Sequence, residues 1–192
     1  MKGNKSAVRL LYTAAIFIAS AVILCAVFAS LLAPYDPSAV SPEEILEHSS
    51  AAHWLGTDAL GRDILSRVIY GARSSVVFAF CSAFCTMALG LSLGMVSGYF
   101  GGLADKSVQC LVALFQGLPG TSLMIAIAAI LPENDFRIII ALTLTSWTGF
   151  SRIVRNEVLR IKGETYMEGI RSIGAGHRYI LRKYIFPNLL PV

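Results

Sequence analysis

Apolar residues in this chain arrive in blocks about as long as a bilayer is thick, and charge is concentrated in the gaps between them. Residues 10–33 run without a single charge, and further blocks occupy about 76–96, 108–131 and 136–150. A helix needs roughly 20 mostly apolar residues to cross a hydrocarbon core of ~30 Å. Inside that core every backbone N–H and C=O must be bonded within the chain, which helices achieve segment by segment. The pattern therefore predicts an all-α fold, a polytopic membrane helical bundle. Composition agrees: 55% of residues are hydrophobic and 15% are charged, against about 25% charged in soluble domains. The net charge of +4 comes from basic residues that stand beside apolar blocks. The excess of Lys and Arg on the cytoplasmic side of membrane spans accounts for them, and nucleic acid is not expected as a partner.

Lys2, Lys5 and Arg9 precede the first block. That block is far longer than the roughly 7–15 apolar residues of a signal peptide, so residues 1–33 are read as a cytoplasmic tail and a retained first span. Pro34 and Pro37 end it. Residues 34–73 form an extracytoplasmic loop in which Asp36, Glu43, Glu44, Glu47, Asp58 and Asp63 face Arg62, Arg67 and Arg73. Within it, Thr57 or Asp58 is positioned to cap a helix carrying Leu60, Ile64, Leu65 and Val68 at helical spacing. An amphipathic helix on the outer membrane surface is the expected form. Residues 74–192 make up the remainder, a transmembrane core ending in a basic segment.

In the second span, Gly90, Gly94 and Gly98 recur every four residues. That spacing clears one helix face so that a neighbouring backbone can approach. A short turn at 99–106 leads to the third span, where Gly117, Pro119 and Gly120 interrupt the apolar run. Pro119 lacks a backbone donor, so a kink or break is expected there. Gln116 stands beside it, and either pathway lining or local structure explains that amide. The fourth block, 136–150, holds Trp147 and the hydroxyls of Thr143, Thr145, Ser146 and Thr148, which can bond to helix carbonyls without marking a pathway. With the N-terminus inside, four spans are self-consistent.

Cys25, Cys81, Cys85 and Cys110 all lie in apolar blocks without a CxxC pair, as small apolar residues do. His48 and His53 flank the outer loop; a nickel-ligand role competes with plain solvation, and no cluster of further ligands favours it. No HExxH or GxxxxGK[ST] occurs, and the GxSxG match GLSLG at 90–94 lies inside an apolar block, so neither a catalytic, metal nor nucleotide site is expected.

Past residue 150 come Arg152, Arg155, Arg160, Lys162, Arg171, Arg178, Arg182 and Lys183 against Glu157, Glu164 and Glu168. A helix starting near Gly163 places Tyr166, Ile170 and Ile173 along one face with Met167 adjacent. Glu164 and Glu168 suit its positive end. Gly174 and Gly176 suit left-handed dihedrals that end the helix and reverse the chain. A second short helix, 177–185, is expected to stop near Pro187. Amphipathicity alone leaves open whether the stripe meets a protein partner or the inner leaflet.

The segment resembles the EAA signature of ATP-binding-cassette importer permeases. Glu168, Gly169 and Ile170 stand at the Glu-Ala-Ala positions, Gly174 at the following glycine, and Phe186 with Pro187 at the Leu-Pro. The glycine-to-proline spacing is kept, while Gly169, Ile170 and Phe186 depart from the usual residues. The run HWLGTDALGRDILSRVIYGAR is similar to the outer loop of the C-type permease of dipeptide, oligopeptide and nickel importers. APYDP, SGYFGG and SWTGFSRIVRNEVL resemble the same subfamily.

The resemblance implies a permease core in a bacterial-type inner membrane with a cytoplasmic N-terminus. A second permease subunit would complete the translocation path as a heterodimer. Two cytoplasmic ATP-binding subunits would each receive a coupling helix, and an extracytoplasmic solute-binding protein would deliver di- or oligopeptides or nickel. ATP hydrolysis would reside in the partner subunits, so the chain itself is expected not to be an enzyme and to hold no cofactor. By resemblance the coupling segment is 152–187: Glu168, Gly169 and Gly174 shape its turn, Tyr166, Ile170 and Ile173 supply contact area, and Pro187 completes the motif. Relatives continue for two more spans, so the chain is expected to be truncated after the coupling helices. The alternative is a transport-incompetent membrane scaffold that only binds the ATPase.

Overall fold

Among the described residues every long element is a helix, and each starts or stops where the local chemistry requires. The computed structural model describes residues 3–134 and 136–190, with side chains from Val8 onward. Lys2, Asp135 and Val192, and the side chain of Lys5, lie outside the described residues. The chain divides into two compact units, Met1–Ala79 and Phe80–Val192.

In the first unit, α1 (Gly3–Val27) and the short α2 (Ala29–Leu32) cover the first apolar block. Leu10, Phe17 and Leu31 are left largely exposed, as residues meant for lipid are. Residues 33–63 form a folded loop. Thr57 N–H donates to Glu47 O (3.1 Å), Leu46 N–H to Asp58 O (3.2 Å) and Ile64 N–H to Gly56 O (3.1 Å). Gly61 has φ +71, and a Cβ there would collide with the Ser41 carbonyl, so glycine is the residue the turn accepts. Helix α3 (Ile64–Phe100) follows and belongs to both units.

Two expectations are corrected here. The helix begins at Ile64, capped by Asp63, whose Oδ2 accepts the Ser66 N–H at 2.7 Å. Thr57 and Asp58 instead shape the loop: Asp58 Oδ1 accepts the N–H groups of Leu60 (2.8 Å) and Arg62 (3.1 Å). There is also no separate amphipathic surface helix, because 64–73 is the first part of α3. No proline or glycine pair separates the two stretches, so the helix runs on for 37 residues, about 55 Å at 1.5 Å per residue.

The second unit holds the C-terminal part of α3 with α4 (Gly102–Gln116), α5 (Gly120–Ile130) and α6 (Phe136–Lys162). The turn expected at 99–106 shrinks to Gly101, at φ +68. Helices α4 and α5 meet at 94° across the Gly117–Pro119 break. Pro119 sits just before α5, where its missing N–H costs nothing. Val8–Val27 and Ile64–Phe100 are each long and apolar enough to cross a membrane, and the bent pair is a third candidate if its halves form one span. The expected fourth span is only the start of α6, which runs on to Lys162 through Arg152, Arg155 and Arg160. Those residues and the hydroxyl-rich run 143–148 lower its apolarity, so among the described residues two or three candidate spans stand where four were expected.

After α6 come α7 (Thr165–Ser172), α8 (His177–Ile180), a π-helical turn (Leu181–Ile185) and α9 (Phe186–Leu189). Gly174 has φ +77, but Gly176 is extended at φ −70 and not left-handed. Pro187 does not stop the helix. In a regular α-helix its ring would strike the Lys183 carbonyl. The wider π turn relieves that clash, Pro187 falls in the first turn of α9, and Asn188 Nδ2 donates to Tyr184 O at 2.6 Å.

Candidate partner-docking surface

The surface is prepared by the way α3 and α6 pack. A Cβ at Gly94 would lie 2.6 Å from Ser151 O, and one at Gly98 2.9 Å from Arg155 O. At Gly90 the obstacles are Phe150 Cδ1 (2.9 Å) and Trp147 O (3.0 Å). The three glycines thus seat the α6 backbone directly on α3, the approach that small residues permit in membrane helices. Trp147 is buried with Val108 and Val112 of α4, and its ring meets Phe115 edge-on at 5.9 Å.

Below this contact a polar knot ties α3, α4 and α6. Arg155 Nε and Nη2 donate to the two oxygens of Asp105, each at 2.6 Å. Ser97 Oγ donates to Asp105 Oδ1 at 2.5 Å and accepts from Gln109 Nε2 at 3.4 Å. A forked guanidinium–carboxylate pair fixes orientation as well as distance. Arg152 Nη1 donates to Gln116 Oε1 at 2.8 Å, so Gln116 is held beside the Pro119 break by α6. Arg152 and Arg155 therefore bind within the bundle.

Helix α7 is fastened beneath by its inner face. Met167 is fully buried among Tyr99, Val154, Val158, Ile161, Ile180, Ile185 and Leu189, and Ile170 packs against that cluster. Tyr99 is 5% exposed; its hydroxyl shares a 2.8 Å hydrogen bond with His177 Nδ1, and its carbonyl accepts from Lys162 Nζ at 2.7 Å. The ends of α3 and α6 and the start of α8 thus meet at one tyrosine. The expected stripe of Tyr166, Ile170 and Ile173 splits as a result. Ile170 is turned toward the core, whereas Tyr166 (45% exposed) and Ile173 (83%) face outward. Glu168, Gly169 and Gly174 are exposed with them, and Pro187 lies exposed beyond the π turn.

Sequence reasoning missed Tyr99, Lys162, His177 and the Asp105–Arg155 pair. The motif SGYFGG contains Tyr99, but its partner lies 78 positions away. No local spacing announces such a pair.

In the folded loop 33–63, His53 is buried at 5% exposure, which corrects the expectation of a solvated side chain. His53 Nδ1 lies 2.9 Å from Asp63 Oδ1, and Nε2 is 3.7 Å from Glu44 Oε2. The Asp63 hydrogen bond raises the His53 pKa above 6.5 against the opposing effect of burial. For Asp63, burial pushes upward, but hydrogen bonds from Ser66 and His53 prevail and hold the carboxyl below 3.8. The Arg62 guanidinium, bonded to Asp58 Oδ2, brings that carboxyl down to about 2. His48 is exposed, and among the described residues no three His, Cys, Asp or Glu side chains gather as a metal site.

Residues 90–192 match the family described as binding-protein-dependent transport system inner membrane component. The chain is 35% identical over 169 residues to the oligopeptide transport system permease protein OppC of Bacillus subtilis, covering 88% of this chain and 55% of that protein. To the glutathione transport system permease protein GsiD of Pectobacterium atrosepticum it is 36% identical over 168 residues, 87% of this chain and 56% of the relative. To the dipeptide transport system permease protein DppC of Bacillus subtilis it is 35% identical over 190 residues, 99% and 58% respectively. The chain thus spans a little over half the length of these curated relatives.

Proposed function

The chain belongs to the family of binding-protein-dependent transport system inner membrane components, and from that membership we propose that it serves as the permease subunit of an ATP-binding-cassette importer. In this reading a second permease subunit completes the path, and two cytoplasmic ATP-binding subunits drive it. An extracytoplasmic solute-binding protein delivers the cargo, and the N-terminus is cytoplasmic. Chemistry on ATP belongs to the partners. The relatives' names speak of oligopeptides, dipeptides and glutathione, which favours a peptide-like solute. Nickel has no such support, since His53 is engaged with Asp63 and Glu44.

One observation carries the reading: α7 keeps Met167 locked inside while Tyr166, Gly169 and Ile173 stand outward beside the left-handed Gly174. Two large apolar side chains on a rigidly backed short helix have the form of a plug for a partner's cleft. Burying each would contribute roughly 1.5–3 kcal/mol before association costs.

The test is co-purification of the chain with the ATP-binding subunits of its proposed system. The Tyr166→Ala/Ile173→Ala double variant is expected to insert normally and to lose at least about tenfold in affinity for them. Undiminished capture would overturn the docking role. Capture without any solute-stimulated ATP hydrolysis in the assembled system would instead favour the scaffold alternative.

A further inference from the structure

We infer that the outer surface of α8, the π turn and α9 is a binding site for the phosphate group of an anionic membrane lipid. Arg178, Tyr179, Arg182, Lys183 and Pro187 line a shallow cavity of about 590 Å³. Arg178 and Arg182 stand one helical turn apart, and Lys183 follows directly. Arg62 is paired with Asp58, Arg155 with Asp105, and Arg160 with Glu157 and Glu164. Arg178, Arg182 and Lys183 have no carboxylate partner among the described residues, and residues 169–190 contain no Asp or Glu. Within this segment their charge is unopposed, and the cavity suits an anion.

The geometry is held in place. Lys183 Nζ donates to Tyr179 Oη at 2.8 Å and lies 5.0 Å from the centre of that ring. Tyr184 packs edge-on against the same ring, 5.8 Å away. Ile180, Ile185 and Leu189 on the opposite face are buried in the core, which fixes the direction the basic face looks.

The surroundings select a lipid rather than an acidic protein. Tyr179, Phe186 and Leu190 are exposed within the same short stretch, so cations and apolar side chains are presented together. That combination suits the headgroup level of a bilayer, where tyrosine and arginine accumulate and apolar groups reach the acyl chains. The residues are separate from the outward face of α7, so this inference and the docking proposal stand or fall independently.

Native mass spectrometry of the purified full chain, offered equimolar phosphatidylglycerol and phosphatidylcholine, tests it. Wild type is expected to retain the anionic lipid preferentially. Arg178→Gln/Arg182→Gln/Lys183→Gln should lose that preference by about tenfold or more, since each basic residue near a membrane surface contributes about fivefold. Arg160→Gln should leave it unchanged. Equal retention by wild type and the triple variant overturns the proposal. Displacement of bound phosphatidylglycerol by millimolar glycerol phosphate would show a site for free phosphate instead, and overturns the lipid source. Should the triple variant fail to fold, Arg178→Gln and a salt titration of wild type replace it. A preference that neither lowers would overturn the proposal as well.

Discussion

At the scale of single residues, the α3–α6 contact depends on what Gly94 lacks. Gly94→Ala places a methyl group 2.6 Å from the Ser151 carbonyl, and the helices must separate. A loss of about 1–3 kcal/mol is expected, read as a lower Tm in detergent. Gly71→Ala is the control. It lies on the same helix with nothing within 4 Å of the new atom, so a neutral or slightly stabilising result is expected, about 0.5–1 kcal/mol. The folded loop 33–63 answers to pH. His53 titrates above 6.5 in the folded loop, so its stabilisation is complete below 6.5 and is lost as pH rises through the raised value. Asp63 titrates below 3.8, so its contribution is present above 3.8 and is lost as pH falls through the lowered value. Hydrogen exchange at the Ser66 amide, which Asp63 holds, should be slowest between these limits relative to the intrinsic rate. Asp63→Asn should flatten the profile on both sides.

Elements are joined by groups that the primary structure keeps far apart. Asp105 and Arg155, fifty positions distant, connect α4 to α6. Asp105→Asn leaves a half-buried guanidinium with a weaker partner and should cost about 1–3 kcal/mol. Arg155→Lys should fall between, since an ammonium cannot span both oxygens. Thermal unfolding of the two variants checks the order, and an Arg155→Lys protein less stable than Asp105→Asn would contradict it. The apolar blocks, the glycine face and the break at Pro119 were legible because each follows from a fixed helical period or from proline's missing donor. Helix ends were harder. The starts of α3 and the reach of α6 escaped because Arg67, Arg73, Arg152 and Arg155 are good helix formers, and charge marks a membrane edge without ending a helix. Pro187 misled because proline is tolerated in a first turn, and nothing local foretold the π turn ahead of it. His53 with Asp63, and Tyr99 with His177, are tertiary pairs that only folding reveals.

For the whole molecule, the connection between the bundle and α7 is the property to test. Gly174→Val puts a β-branched residue at φ +77, where an L side chain costs roughly 1–2 kcal/mol. The bundle should insert and melt nearly as before, because no packed atom lies within 4 Å of that position. If the chain serves the proposed importer, ATP-driven uptake by the assembled system should fall sharply; full uptake with normal ATPase capture would count against Gly174 as part of the turn. Tyr99→Phe asks a complementary question, since it deletes the link to His177 and spares the ring. Weaker protection of the α8 amides from exchange, at an unchanged Tm for the bundle, is expected. Tyr99 is where three elements are pinned together, and stiffness is the consequence. In the proposed importer, a thrust delivered at α7 would find no slack to dissipate in. It would reach the ends of α3 and α6 simultaneously, and two rods already seated backbone to backbone would swing as one.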